Sequence, residues 1–527
     1  MSGDWDYIVV GAGSAGCVAA NRLANAGHRV LVLEAGGRDN YHWVHIPMGY
    51  LYCIGNPRTD WMYRTAAEPG LNGRSLLYPR GKVLGGCSSI NGMLYLRGQA
   101  ADYDGWRQMG LTGWGWDDVL PYFKRSEDYV EGASDMHGEG GEWRVENQRL
   151  HWEALDHWMD AAQAWGLPKV TDFNAGDNEG VGYFRVNQRN GWRMNTARAF
   201  LRTVTGKGLK VETQAHTRRL IIEDGRAVGV IYDQGGEIKS ARAGAEVILS
   251  AGAVNSPQIL QLSGIGPGAL LQEHGIEVIR DAPQVGANLQ DHLQLRCAWR
   301  LMGAKTLNTL ANSLWGKAMI GLEYALKRSG PMSMAPSQLG AFSKSRPDLA
   351  TADLEYHVQP LSLEAFGQPL HDFPAMTASV CNLRPESRGS VRIASADPKA
   401  PPVIAPNYLS TPGDRRVARD AIRQARAIMA QQPMQRYAPE EMKPGVEAED
   451  DAALDRAAGD IGTTIFHPTC TVRMGGEDAP LDGQMRLRGI GGLRVVDASA
   501  MPAITSGNTN APTIMMAEKA SDLILSS

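Results

Sequence analysis

An α/β fold with a parallel sheet is predicted by three adjoining features near the start of the chain. A short apolar strand, Tyr7 to Val10, runs into the glycine-rich turn Gly11-Ala12-Gly13-Ser14-Ala15-Gly16. That turn opens a helix of small and aliphatic residues from Ala15 to Ala26. A second buried strand, Arg29 to Leu33, follows, and strand, helix and strand at this spacing imply parallel pairing.

Further strands are expected around Lys210 to Glu212, Arg218 to Ile222, Ala227 to Tyr232 and Glu246 to Gly252. Helical periodicity marks Trp152 to Trp165, Leu314 to Lys327, Asp414 to Gln431 and Thr513 to Leu525. The Pro-rich stretch Asp397 to Pro402 reads as an exposed loop.

The chain has 527 residues, too many for one hydrophobic core, so two domains are the simplest expectation. With 43% hydrophobic and 21% charged residues the composition is that of a soluble globular protein. A net charge of −4 leaves no basic footprint for nucleic acid. The 60 glycines exceed the usual ~7%, which suggests tight turns and close backbone approach to a large ligand. Six scattered cysteines form no Cys-x-x-Cys pair and read as reduced thiols. No signal peptide is visible and no apolar run reaches the ~20 residues of a membrane span. A cytoplasmic location follows as an expectation, with peripheral contact to the inner membrane left open. His42 and His45 have loose metal-ligand spacing but no third ligand, so no metal is expected.

Gly-x-Gly-x-x-Gly arises by chance in a glycine-rich chain, but here it follows a strand, opens a helix, and the next strand leads into Glu34. Gly11 would allow the tight turn, Gly13 the approach of a pyrophosphate, and Gly16 close helix–strand packing. The helix N-terminus at Ser14 and Ala15 offers free N–H groups to the anion. Glu34, beside Ala35, would bind ribose hydroxyls. These features point to a dinucleotide and leave NAD and FAD both open.

The stretch Gly81-Lys82-Val83-Leu84-Gly85-Gly86-Cys87-Ser88-Ser89-Ile90-Asn91-Gly92-Met93 resembles the first signature of the glucose–methanol–choline (GMC) family of flavin oxidoreductases. Gly252 to Pro257, running to Gly266, looks like its second signature. Phe466 to Thr471, Asp497 to Pro502 and Gly507 to Pro512 match near the C-terminus, so the resemblance spans residues 6 to 525 in the family's order. It is closest in style to bacterial choline and alcohol dehydrogenases.

The resemblance implies FAD and a Rossmann-like FAD-binding domain with a discontinuous substrate domain of antiparallel sheet backed by helices. The FAD-binding domain is expected at 1–150, 195–296 and 462–527, and the substrate domain at 151–194 and 297–461. Carried over, Val83, Gly86 and Asn91, Gly92, Met93 and Leu94 lie along the flavin and its phosphates. Thr217 falls near the adenine, and Asp497, Ala498 and Thr509 near the pyrophosphate and ribityl chain. Some members link the flavin to a histidine where this chain has Ile90, so the FAD is expected to be non-covalent.

The family's catalytic histidine falls on His467, and its partner position on Asn508. Alcohol oxidation needs a base near neutral pH and a donor to the substrate oxygen. A histidine with an ordinary pKa of ~6.5 suits the first role, and asparagine can serve only the second. Pro468 biases His467 toward an extended backbone. Asparagine is also common in glycine-rich turns, which is the plain alternative for Asn508. His292, in Asn288-Leu289-Gln290-Asp291-His292, is read as structural.

The expected function is therefore oxidation of a primary alcohol to an aldehyde, with electrons passed to a non-oxygen acceptor such as a quinone or dye. An oxidase that makes hydrogen peroxide is the alternative, as is choline oxidation. A quaternary ammonium site would need aromatic rings and a carboxylate, for which Trp61, Phe466 and Glu355 are available. A light-driven decarboxylase, also known in the family, lacks the His-Pro that His467-Pro468 retains; a non-catalytic flavoprotein would have no use for both His467 and Asn508.

Overall fold

The computed structural model describes residues 4–205, 208–364 and 368–527. Two seven-stranded sheets organise it. The first begins as expected: strand Trp5–Val10, helix Ser14–Asn25, strand Val30–Glu34. Trp5–Val10 sits between Val30–Glu34 and the long strand Glu237–Leu249, parallel to both. Leu209–Thr213 extends the parallel part beyond Val30–Glu34, and Leu493–Val495 adds to it alongside Glu237–Leu249. The outer half of Glu237–Leu249 turns antiparallel against Arg226–Gln234, which pairs with His216–Glu223. Ile8, Val9, Val30 and Val32 are fully buried, as central parallel strands covered on both faces require. Each such side chain contributes ~1.5–3 kcal/mol by burial.

The strand expected to run through Gly252 stops at Leu249. Gly252, at φ +85, instead opens the helix Gly252–Leu262. The run from Val247 to Val254 is apolar or small throughout and concealed that change, since periodicity cannot separate a buried strand from the turn that follows it.

The second sheet is antiparallel throughout, in the order Glu440–Lys443, Leu293–Arg300, Ala375–Asn382, Leu354–Gln359, Leu339–Ser343, Gly180–Tyr183. Its short seventh strand, Gly462–Thr464, also pairs with Leu293–Leu295. The expected domain edges at 296/297 and 461/462 therefore cut through this sheet, and we propose edges near 292 and 464 instead. Period-two alternation sorts the strands cleanly. Leu295, Trp299, Tyr356, Val358, Ala378 and Val380 face a core shared with the helices Glu153–Trp165, Pro412–Met429 and Asp451–Ile461. Their neighbours Gln294, Arg296, Glu355, His357, Thr377 and Ser379 occupy the opposite face. A sheet with one apolar and one polar face has a core to one side and a site to the other.

No helix among the described residues is long and apolar enough to cross a membrane. All six cysteines are free thiols, and only Cys87 is not buried.

Candidate active site

One continuous cleft runs from the glycine turn of the first sheet to the polar face of the second. At the turn, Gly11 holds φ +96, and a Cβ there would lie 2.5 Å from the Ser250 carbonyl oxygen. A Cβ on Gly16 would lie 1.9 Å from the Gly11 carbonyl oxygen. Gly13 differs: its Cβ would meet nothing closer than 3.9 Å, so the space before it is open to a ligand. The Gly85-Gly86 stretch lies directly on this turn, with the Gly85 amide donating to the Ala12 carbonyl at 2.8 Å. Two helix N-termini, of Ser14–Asn25 and Asn510–Leu525, meet at the cleft wall, where Ser14 Oγ donates to Asn510 Oδ1 at 2.6 Å. Paired helix starts around an open glycine suit a pyrophosphate.

Glu34 accepts from the Ala12 and Gly36 amides at 2.9 and 2.8 Å. Burial outweighs those bonds and pushes its carboxyl up to about 7. Asp497 accepts from the Gly252 amide and Ser256 Oγ on one oxygen, and from Ser499 on the other. Burial raises its pKa also. Thr217 Oγ1 is buried in the cleft wall with no protein partner. Asn91 Oδ1 accepts from the Met93 amide at 3.0 Å and from Arg193 at 2.9 Å, holding Met93 at φ +63.

Of the expected cofactor residues, Gly11, Gly13, Ser14, Ala15, Glu34 and Ala35 line the cleft, as do Gly86, Asn91, Gly92, Met93 and Leu94. Thr217, Asp497, Ala498 and Thr509 complete the lining set. Two do not belong to it. Gly16 acts beneath the turn, as its steric fit shows. The Val83 side chain is buried in a small apolar cluster with Val44, Cys53 and Ile90. Ile90 lines the cleft with an inert side chain.

At the other end, His467 follows Phe466, whose backbone is left-handed at φ +71. That conformation is costly for a non-glycine residue and is held from both sides. The Phe466 amide donates to Thr464 Oγ1 at 2.8 Å, and Arg80 donates to its carbonyl at 2.7 Å. The His467 amide donates to Asp291 Oδ1 at 2.7 Å. Asp291 Oδ2 collects Tyr78, Thr464 and Tyr408 hydroxyls. This carboxylate fastens the loop that presents His467.

The ring protons of His467 can be placed from its neighbours. His292 Nε2 lies 3.1 Å from the Leu383 carbonyl, which only accepts, so that nitrogen carries the proton. Burial lowers the pKa of His292 and keeps it neutral, which leaves its Nδ1 bare. His467 Nδ1, 3.1 Å away, must then be the donor. The lone pair of His467 is thereby placed on Nε2, 3.0 Å from Asn508 Nδ2. Burial, with repulsion from His292, His357 and Arg80, holds the His467 pKa well below the ordinary value. Asn508 Oδ1 has no protein partner.

Sequence reasoning missed this part of the site. His292, read as merely structural, sets the tautomer of His467, and Asp291 holds the loop. The Asp-His pair just before a strand was the only available signal. The ammonium site drawn from Trp61, Phe466 and Glu355 is not assembled. Trp61 stacks on Tyr63 and beneath Lys82, next to His216 at the opposite end of the cleft. Glu355 is fully buried behind His357, 3.1 Å from its Nε2, and does not line the cleft. Phe466 adjoins His467 in the chain, and Glu355 bears on it only through His292 and His357. Among the described residues no cluster of three His, Cys, Asp or Glu could hold a metal.

The chain matches the family model "GMC oxidoreductase" over residues 5–294 for its N-terminal part and 385–517 for its C-terminal part. It belongs to the GMC oxidoreductase family. As such it is an FAD-dependent oxidoreductase. An oxygen-dependent choline dehydrogenase of Photobacterium profundum is 41% identical, covering 100% of this chain and 94% of the relative. An alcohol dehydrogenase [acceptor] of Pseudomonas putida is also 41% identical, covering 99% and 96%. Pyridoxine 4-oxidase from Mesorbium loti superposes with a TM-score of 0.88 at 30% identity, over 98% of this chain and 99% of that one. Formate oxidase from Aspergillus oryzae reaches 0.91 at 26% identity, over 99% of this chain and 98% of that one. The GMC assignment agrees with the cleft: an open glycine, paired helix starts and a partnerless Thr217 hydroxyl fit the pyrophosphate and adenine of FAD.

Proposed function

We propose that this chain oxidises a primary alcohol to an aldehyde, with His467 as the base and Asn508 holding the substrate oxygen. The observation that carries this reading is the bare Nε2 of His467, aimed at Asn508 Nδ2 across the end of the cleft. A lowered pKa keeps that nitrogen unprotonated at neutral pH. The alcohol proton passes to Nε2 as the carbonyl forms. The second N–H of Asn508 is free to bond the oxygen as negative charge develops there. The imidazolium formed on His467 keeps its Nδ1–H on His292. Bound FAD supplies the hydride acceptor.

The electron acceptor we assign is a quinone or dye-like molecule, in keeping with the likeness to a relative named for an unspecified acceptor. Oxygen is the second reading, favoured by the likeness to pyridoxine 4-oxidase. Choline oxidation is the substrate reading that the 41%-identical dehydrogenase favours. One experiment addresses all three. Purified holoenzyme is mixed anaerobically with a panel of alcohols, and bleaching of the oxidised flavin band is followed. Reoxidation is then timed with oxygen and with an artificial dye. An alcohol should bleach the band and the dye should restore it faster than oxygen; a panel without bleaching would sink the proposal.

A further inference from the structure

Arg296 lines the cleft on the same face of the strand Leu293–Arg300 as Gln294, two and four residues beyond Gln294 and His292. At ~3.4 Å per residue its Cα lies about 13 Å from that of His292, which touches the base. In the sheet register Arg296 stands opposite Ser379, which stands opposite His357, so Arg296 and His357 share one row across the cleft-facing side of the sheet.

The fully buried arginines have protein partners, although Arg193 has no acid beside it and its Nε has no acceptor. Arg97 pairs with Glu127 at 2.8 Å and Arg494 with Glu246 at 2.7 Å. Arg193 donates to the Ser88 carbonyl and Asn91 Oδ1. Among the described residues no hydrogen bond or ion pair joins Arg296 to a carboxylate, and the Tyr50 hydroxyl is an ionisable group that bears on it. The two acids lining the cleft, Glu34 and Asp497, are occupied by backbone amides and serines at the glycine-turn end. Glu355 lies behind the wall, on His357. A half-buried guanidinium without a counter-ion can take one from a ligand in the cleft, and its fork geometry matches a carboxylate. A quaternary ammonium at the same place would meet like charge.

We propose that the substrate is an alcohol whose far end carries a carboxylate, and that Arg296 binds it. This rests on the alcohol-oxidation reading above for the reaction, but the anion site can be tested apart from it. In the first arm, anaerobic flavin reduction is compared for 4-hydroxybutanoate, butan-1-ol and choline. The hydroxycarboxylate should be preferred by ~10–100-fold in reduction rate over dissociation constant, the worth of a charge-assisted hydrogen bond. Arg296→Gln should collapse that preference, and Arg296→Lys should keep part of it. In the second arm, unreactive butanoate and butanamide are titrated into the holoenzyme by calorimetry. Butanoate should bind more tightly, and only in the presence of the arginine.

Preference for choline or butan-1-ol by the natural chain overturns the inference, as does a ratio unchanged in Arg296→Gln. If Arg296→Gln fails to retain flavin, Arg296→Lys and the natural chain still decide through the same ratios. If no alcohol bleaches the flavin yet butanoate binds through Arg296, the anion site stands and alcohol oxidation falls.

Discussion

The two ends of the cleft are built by different means. The glycine-turn end is made of backbone: amides at two helix starts, the open space at Gly13, and acids whose oxygens are tied to main-chain N–H groups. The His467 end is made of side chains from segments far apart in sequence, in which one histidine orients another across 175 positions. A backbone site tolerates most substitutions that leave its geometry alone and fails abruptly when the main chain is pushed. A side-chain site fails by degrees, one group at a time.

The largest expected effect probes the first half of that contrast. Gly16→Ala places a methyl 1.9 Å from a main-chain oxygen, and Gly13→Ala places one in open space. Gly16→Ala should lose both flavin and cooperative folding. Gly13→Ala should keep the melting transition of the flavin-free protein and weaken only flavin retention. Equal melting temperatures for the two apoproteins would break the distinction.

Next in size, His467→Ala should slow anaerobic flavin reduction by ~10²–10⁴-fold with flavin content unchanged. Because the pKa of His467 is lowered, the natural chain should keep its activity as pH falls until well below 6.5. The same shift bears on stability. The folded state binds fewer protons than the unfolded between the lowered pKa and 6.5, so stability is full above 6.5 and declines as pH falls through that window. An acid limb at or above 6.5 would contradict the placement of the base.

The smallest effect concerns His292. Its replacement by Ala should cost about 10–100-fold in the reduction rate, as loss of an orienting outer partner does elsewhere. His292→Gln can still offer an acceptor to His467 Nδ1 and should recover part of the rate. If Ala and Gln variants behave alike, His292 only fills space.

Legibility in the sequence followed the same divide. Gly11, Gly13, Gly16 and Glu34 sit within one short unit, so their spacing alone announces the turn. The boundary at Gly252 was obscured because apolar strand and apolar helix read alike. Glu355 shares the cleft-facing side of its strand with His357 yet lies behind it, and His292 precedes its strand, so alternation along the chain revealed the role of neither.

By itself the sequence determined the α/β start and the dinucleotide turn, because local geometry suffices for these, while the flavin signature and the choice of His467 and Asn508 came through resemblance to the GMC family. Tertiary structure alone decided the tautomer of His467 and the exposure of Arg296 to the cleft. Those depend on register between strands distant in sequence, where a shift of one residue exchanges the two faces of the sheet.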